Sequence, residues 1–105
     1  MKTIMVRYKT KPEHAETNAA LVRAVFESLR QQAPAGICYA SYCLEDGVSF
    51  VHVATHAEPN PLSTLPAFQA FQAQIKERLE ASPVVTELFA VGSYGLTPSP
   101  VAGAQ

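Results

Sequence analysis

The stretch SFVHVATH, Ser49 to His56, decides how this chain is read. It sets His52 and His56 four positions apart. On a helix that spacing stacks two imidazoles on one face, as in metal-binding pairs. On a strand they share a face but stand ~13 Å apart. The residues favour the strand. VSFVHVATH, from Val48, carries three valines, a Phe and a Thr, and β-branched residues suit a pleated surface better than a helix. Asp46-Gly47 comes directly before it, a hairpin signal read here as a two-residue type I′ turn. The two rings then cannot meet one metal ion at bonds of ~2.0–2.1 Å. They are two separate side chains on the strand face that also carries Phe50 and Ala54.

The segments around this strand follow the same logic. TIMVRYK, from Thr3 to Lys9, alternates with a period of two and predicts a first strand. Thr10 and Glu13 have the spacing of a capping box, with Pro12 in a first helical turn. The helix is expected to run to about Gln32, with Leu21, Val22, Val25, Phe26 and Leu29 as its inner stripe. Arg23 and Glu27 form an expected surface pair, and Pro34 and Gly36 end the element. ICYASYCL, from Ile37 to Leu44, is an apolar, aromatic-rich strand. After Glu58-Pro59-Asn60-Pro61 a loose turn precedes a second helix, capped by Thr64, with Pro66 in its first turn. Its inner stripe is Phe68, Phe71, Gln72, Ile75 and Leu79, and Ser82-Pro83 ends it. VVTELFAVGSY, from Val84 to Tyr94, reads as a long last strand. Residues 96–105 are expected to be a flexible tail behind one domain of residues 1–95.

Strand, helix, strand, hairpin, strand, helix, strand is the split βαβ arrangement. The expected fold is α+β and ferredoxin-like, βαββαβ, with a four-stranded antiparallel sheet and two main helices on one face. If Ile4, Val6 and Tyr8 face the helices, Thr3, Met5 and Arg7 face away, and so do Val51, Val53 and Thr55. A face so apolar is expected to be covered by a second copy, giving a homodimer through the open sheet face. Arg7 on that face would pair with a carboxylate across the dimer.

Composition excludes several classes. The chain has 105 residues, 48% hydrophobic and 16% charged, with a formal net charge of −1. That is globular composition without the basic stripe that nucleic acid requires, so no nucleic-acid partner is expected. No apolar run approaches the ~18 residues of a membrane span. Arg7, Lys9 and Lys11 interrupt any signal-peptide core. Cys38 and Cys43 point to opposite faces of an extended segment, too far apart for the Cα separation of about 4.4–6.8 Å in a disulfide. They read as reduced thiols of a cytoplasmic protein.

With these segments in place, the chain resembles the dimeric α/β-barrel superfamily, most closely the antibiotic biosynthesis monooxygenase-like domains. The resemblance rests on VRYKTKPEH, the long amphipathic helix, the hairpin, FVHVATHAE and LPAFQAF, in that order across residues 2–94. It implies two such sheets closing into a barrel across a dimer, often with the last strand reaching to the partner, and a cleft between sheet and helices. Members include cofactor-independent monooxygenases acting on phenols and quinols, heme-degrading oxygenases, isomerases and stress proteins, so the fold does not set the function. Two departures matter. Many members end the third strand with Trp, where this chain has His56 and no Trp anywhere. Heme-degrading members carry an Asn in the first strand and a His in the second helix, where this chain has Val6 and roughly Gln72.

The candidate catalytic residues are His52, His56 and Tyr8, which share the cleft face of neighbouring strands. Phe50, Phe68, Phe71 and Gln72 are the candidate substrate pocket. The expected partner is a small hydrophobic or aromatic ligand, with no metal and no organic cofactor. A His would act as base on a phenol and Tyr8 as an orienting donor, in a monooxygenase-like enzyme acting on an aromatic or quinone-like metabolite. The plainer expectation is a non-catalytic, small-molecule-binding or stress-associated homodimer. On it the His rings are packed strand residues, Tyr8 is a good strand former, and Phe68 and Phe71 are core.

Overall fold

A computed structural model describes residues 1–95; the expected tail lies outside them. Strands β1 (Lys2–Lys9), β2 (Ile37–Cys43), β3 (Ser49–His56) and β4 (Val84–Leu88) form one sheet in the order β2-β3-β1-β4, every pair antiparallel. Helices α1 (Ala15–Gln32), α2 (Pro66–Gln72) and α3 (Ile75–Arg78) complete the ferredoxin-like α+β fold. The sheet is open. Its order puts β1 and β3 at the centre, with Val6 opposite His52 and Tyr8 opposite Phe50.

The stripe on α1 packs as its spacing dictates. Val22 and Val25 are buried, and Leu21, Phe26 and Leu29 pack against the core. Asn18 lies one turn before Val22 on the same side and is fully buried. Its amide is the one polar group on that buried stripe. The surface pairs differ from expectation: Arg23 bonds Glu16 at 2.8 Å, and Glu27 bonds Arg30 at 3.3 Å.

Five local expectations are corrected. Thr10 is no helix cap. It remains extended, and its N–H and hydroxyl both donate to the carbonyl of Val48. A 3₁₀ turn, Pro12–His14, starts after Lys11 with no side-chain cap. The hairpin is no type I′ turn, because Gly47 has φ +78° while Asp46 stays on the ordinary side. Instead Gly47 N–H closes onto the Leu44 carbonyl, and the Asp46 carboxylate accepts from the amides of Val48 and Ser49. The Ser49 hydroxyl also donates to this carboxylate, and that bond, with the two amides, holds the Asp46 carboxyl below its usual range. Thr64 is no cap either. Asn60 caps a 3₁₀ turn, Pro61–Thr64, by accepting from Leu62 N–H, and α2 starts after Leu65.

The expected second helix is two pieces. It breaks at Ala73–Gln74, where Gln74 takes φ +59°. The break exposes the last carbonyls of α2, and the Arg78 guanidinium turns back to donate to those of Phe71 and Ala73. The last strand is also shorter than expected. β4 pairs with Thr3–Arg7 of β1 and stops opposite Thr3, because β1 has almost no length left there. Beyond it Phe89, Val91 and Tyr94 are exposed.

The turn geometry has a direct test. A Cβ at Gly47 would meet open space, so only backbone strain opposes a side chain there. Gly47→Ala is expected to cost about 1–2 kcal/mol, the usual penalty for a left-handed residue, and Gly47→Asn less. In urea unfolding the midpoint should fall with an unchanged slope. An alanine variant as stable as the parent would contradict this turn.

Candidate functional site

Between the sheet and the short helices lies a cavity of about 360 Å³. Its floor is Ile4, Val6 and Tyr8 from β1, Tyr39 from β2, and His52, Ala54 and His56 from β3. Phe68, Phe71 and Gln72 of α2 and Ile75 of α3 form the opposite wall, with Asn60, Leu62, Pro83 and Val85 around them. The lining is mostly apolar and contains no carboxylate. Its volume falls in the ~300–1,000 Å³ range of small-molecule sites.

Of the residues expected from sequence, Tyr8, His52, His56, Phe68, Phe71 and Gln72 line this one cavity. Phe50 does not. It lies under Tyr8, ring centroids 5.5 Å apart, and lines a separate hollow with Lys9, Leu44 and Glu80. The reason is register: Phe50 stands opposite Tyr8, two residues nearer the hairpin than His52.

The two histidines have different surroundings. His52 is 4% exposed, and both its ring nitrogens have partners. Nε2 lies 2.6 Å from the Tyr8 hydroxyl. Nδ1 faces the hydroxyls of Tyr39, at 3.0 Å, and Ser41. Burial pushes its pKa down to about 4, so the ring is neutral at ordinary pH. Its lone pair and its N–H are both used inside the wall. His56 is also buried, but its Nδ1 lies 3.0 Å from the Ala57 carbonyl. A carbonyl only accepts, so in the neutral ring Nδ1 carries the proton and Nε2 keeps the lone pair. No hydrogen bond within the described residues takes that lone pair. His56 therefore has the ring nitrogen suited to accept a proton from a ligand.

Behind Tyr8 a polar chain continues away from the cavity. Asn18 Nδ2 donates to the Tyr8 hydroxyl at 2.9 Å, and Arg78 Nε donates to Asn18 Oδ1 at 3.1 Å. Arg78 is 6% exposed and has no carboxylate partner among the described residues. The α2 carbonyls and the Phe71 ring, 5.5 Å from the guanidinium carbon, offset its charge instead. Arg78 is held beside β1 by its own backbone: its carbonyl accepts from Lys11 N–H, and Glu80 N–H donates to Lys9. Burial pushes the Tyr8 phenol up to about 12, with the Asn18 hydrogen bond opposing. Tyr8 thus keeps its proton.

Asn18, Tyr39, Ser41 and Arg78 are the members that sequence reasoning missed. Asn18 left a signal, a polar residue in step with Val22 and Val25 on an apolar stripe. Tyr39 and Ser41 also left one, because they alternate with Ile37 on the inner face of β2. Arg78 left none, since it reaches Asn18 only after the helix breaks.

The neutral state of His52 makes stability depend on pH. The unfolded ring takes up a proton near pH 6.5 and the folded ring only near 4. Between those values the unfolded chain binds more protons, so stability falls as pH falls. The loss attributable to this ring should total on the order of 3 kcal/mol, complete below about pH 4. Urea unfolding at stepped pH should show this slope in the parent and not in His52→Gln. Equal slopes in the two proteins would place the ring elsewhere.

No family and no curated protein matches the chain by sequence. Solved structures match it in three dimensions. A crystal structure described as an antibiotic biosynthesis monooxygenase superposes with a TM-score of 0.71 at 20% identity, covering 88% of this chain and 100% of its own. Rv0793 from Mycobacterium tuberculosis gives 0.69 at 22% identity, covering 88% and 96%. SnoaB, a cofactor-independent oxygenase from Streptomyces nogalater, gives 0.63 at 11% identity, covering 90% and 97%. At these identities the likeness is one of fold. By sheet order, helix placement and these superpositions, the chain shares its fold with the structure described as an antibiotic biosynthesis monooxygenase.

Proposed function

We propose that this protein is a cofactor-independent, monooxygenase-like enzyme acting on a small aromatic or quinone-like metabolite, with His56 as its base. One observation carries the reading: a mostly apolar cavity, free of carboxylates, contains a His whose Nδ1–H is fixed and whose Nε2 is free. The fold of a cofactor-independent oxygenase supports it. His56 Nε2 removes a phenolic proton, and the resulting cation is steadied by the Ala57 carbonyl at Nδ1. The electron-rich anion is then the reductant for O₂. In the simplest balanced case a ring CH₂ becomes C=O, one oxygen atom enters the product and the other leaves as water. The apolar walls keep water away from the anion. His52 serves here as part of the wall, because both its nitrogens are engaged.

A second reading has its own observation. The tight mutual bonding of His52, Tyr8, Tyr39 and Ser41 leaves few groups free to react, as suits a protein that binds an aromatic ligand without changing it. Oxygen uptake distinguishes the two. With a panel of hydroquinones and anthrone-type phenols, His56→Ala should lower kcat by about 10²–10⁴-fold, the usual worth of a general base. Uptake equal in the parent and the variant would remove the proposed base, and ligand binding without any uptake would favour the second reading.

We also propose a homodimer, in a cytoplasmic setting that suits the free thiols of Cys38 and Cys43. No helix among the described residues is long and apolar enough to cross a membrane. The sheet face away from the helices carries Met5, Val51 and Val53 on the two central strands, and Phe89 and Val91 are exposed beyond β4. A second copy would cover this surface. Sedimentation should give a dimer at micromolar concentration and a monomer for Val53→Asp. A parent protein that sediments as a monomer would exclude it.

A further inference from the structure

The polar chain in the cavity wall has a direction. Arg78 has only donors, so the Asn18 oxygen must face it and the Asn18 amide must face Tyr8. Tyr8 therefore accepts from Asn18 and gives its own proton to His52 Nε2. The opposite tautomer of His52 would aim two N–H groups at the Tyr8 oxygen. It would also leave the buried Tyr8 hydrogen without an acceptor. His52 thus carries its proton on Nδ1, where the hydroxyls of Ser41 and Tyr39 must accept rather than donate. His52 Nδ1 is the one hydrogen-bond partner of the Tyr39 hydroxyl among the described residues. The Tyr39 hydrogen is then left with no acceptor among the described residues, and Tyr39 lines the cavity. Its ring is held by stacking on Phe26, centroids 4.9 Å apart.

We propose that Tyr39 is a specificity-determining residue that donates to an acceptor oxygen of an aromatic ligand (a carbonyl, a quinone oxygen or an oxyanion). Asn18 and Arg78 are positioning residues that hold Tyr39 as a donor through Tyr8 and His52. The cavity then offers one fixed donor, Tyr39, and one fixed acceptor, His56. This inference shares with the proposed function the premise that the cavity takes an aromatic ligand; it does not depend on oxidation.

The matched probes 1-tetralone and tetralin, which differ by one carbonyl, test it by binding alone. Tyr39→Phe should weaken 1-tetralone about fivefold, the worth of one neutral hydrogen bond, and leave tetralin within about twofold. Asn18→Asp turns the chain round. A carboxylate only accepts, so Tyr8 would donate to it, His52 would move its proton to Nε2, and Tyr39 would spend its hydrogen on Nδ1. That variant should lose 1-tetralone as Tyr39→Phe does. Long-range ¹H–¹⁵N spectra should show His52 protonated at Nδ1 in the parent and at Nε2 in Asn18→Asp. A parent ring protonated at Nε2 overturns the proposal. So does a Tyr39→Phe protein that holds the two probes in the parent ratio. Both readings stand even where Asn18→Asp does not fold. Neither uses turnover, so absence of oxygen uptake leaves them intact.

Discussion

The hydrogen bond between the Tyr8 hydroxyl and His52 Nε2, 2.6 Å long, is the interaction on which the interior depends. It joins the two central strands on the face beneath the helices. Both partners are buried, so neither can turn to water, and each must be satisfied by the other. A charged His52 or an ionised Tyr8 would reverse its direction, and burial keeps both neutral. Its direction propagates to Asn18 and Arg78 on one side and to Ser41 and Tyr39 on the other. No buried side-chain polar atom among the described residues lacks a partner. The network lets a small domain keep three polar or charged side chains, Asn18, His52 and Arg78, inside its core.

The same constraint divides work between the histidines. Four residues apart on one strand, they face the same way. His52 lies at the sheet centre, where Tyr8, Tyr39 and Ser41 all reach it. His56 lies at the strand end, opposite Ile37 and Lys2, where the one hydrogen bond to its ring among the described residues is with the Ala57 carbonyl. A ring whose bonds are all made is a structural element, and a ring with one nitrogen spare is available to a ligand. Position along a strand, rather than residue type, separates the two roles.

Arg78 shows how a residue can shape a site it does not line. An unbroken second helix would carry Arg78 on past Phe71 and leave Asn18 without its donor. The break at Gln74 lets the guanidinium satisfy the end of α2 and reach Asn18 in one arrangement. Because the segment after α3 bonds the end of β1, Arg78 is fixed relative to Tyr8. A cation with no carboxylate partner among the described residues is thereby accommodated by backbone dipoles and an aromatic face.

The sequence by itself determined the element order, the inner and outer faces of β1 and β3, and the company of Tyr8, His52 and His56 with Phe68 and Phe71. Those follow from periods of two and 3.6 residues, which are local properties of the chain. The loss of Thr10 as a cap and the end of β4 opposite Thr3 were settled by partners far away in sequence, whereas the turn at Gly47 and the loss of Thr64 as a cap follow from hydrogen bonds to near neighbours. The polar chain belongs wholly to the tertiary structure. Its bonds join residues 44 and 60 positions apart, and no spacing rule reaches that far. Only packing could decide which nitrogen of each histidine is spent, because a hydrogen bond takes its direction from what the neighbouring group can donate or accept.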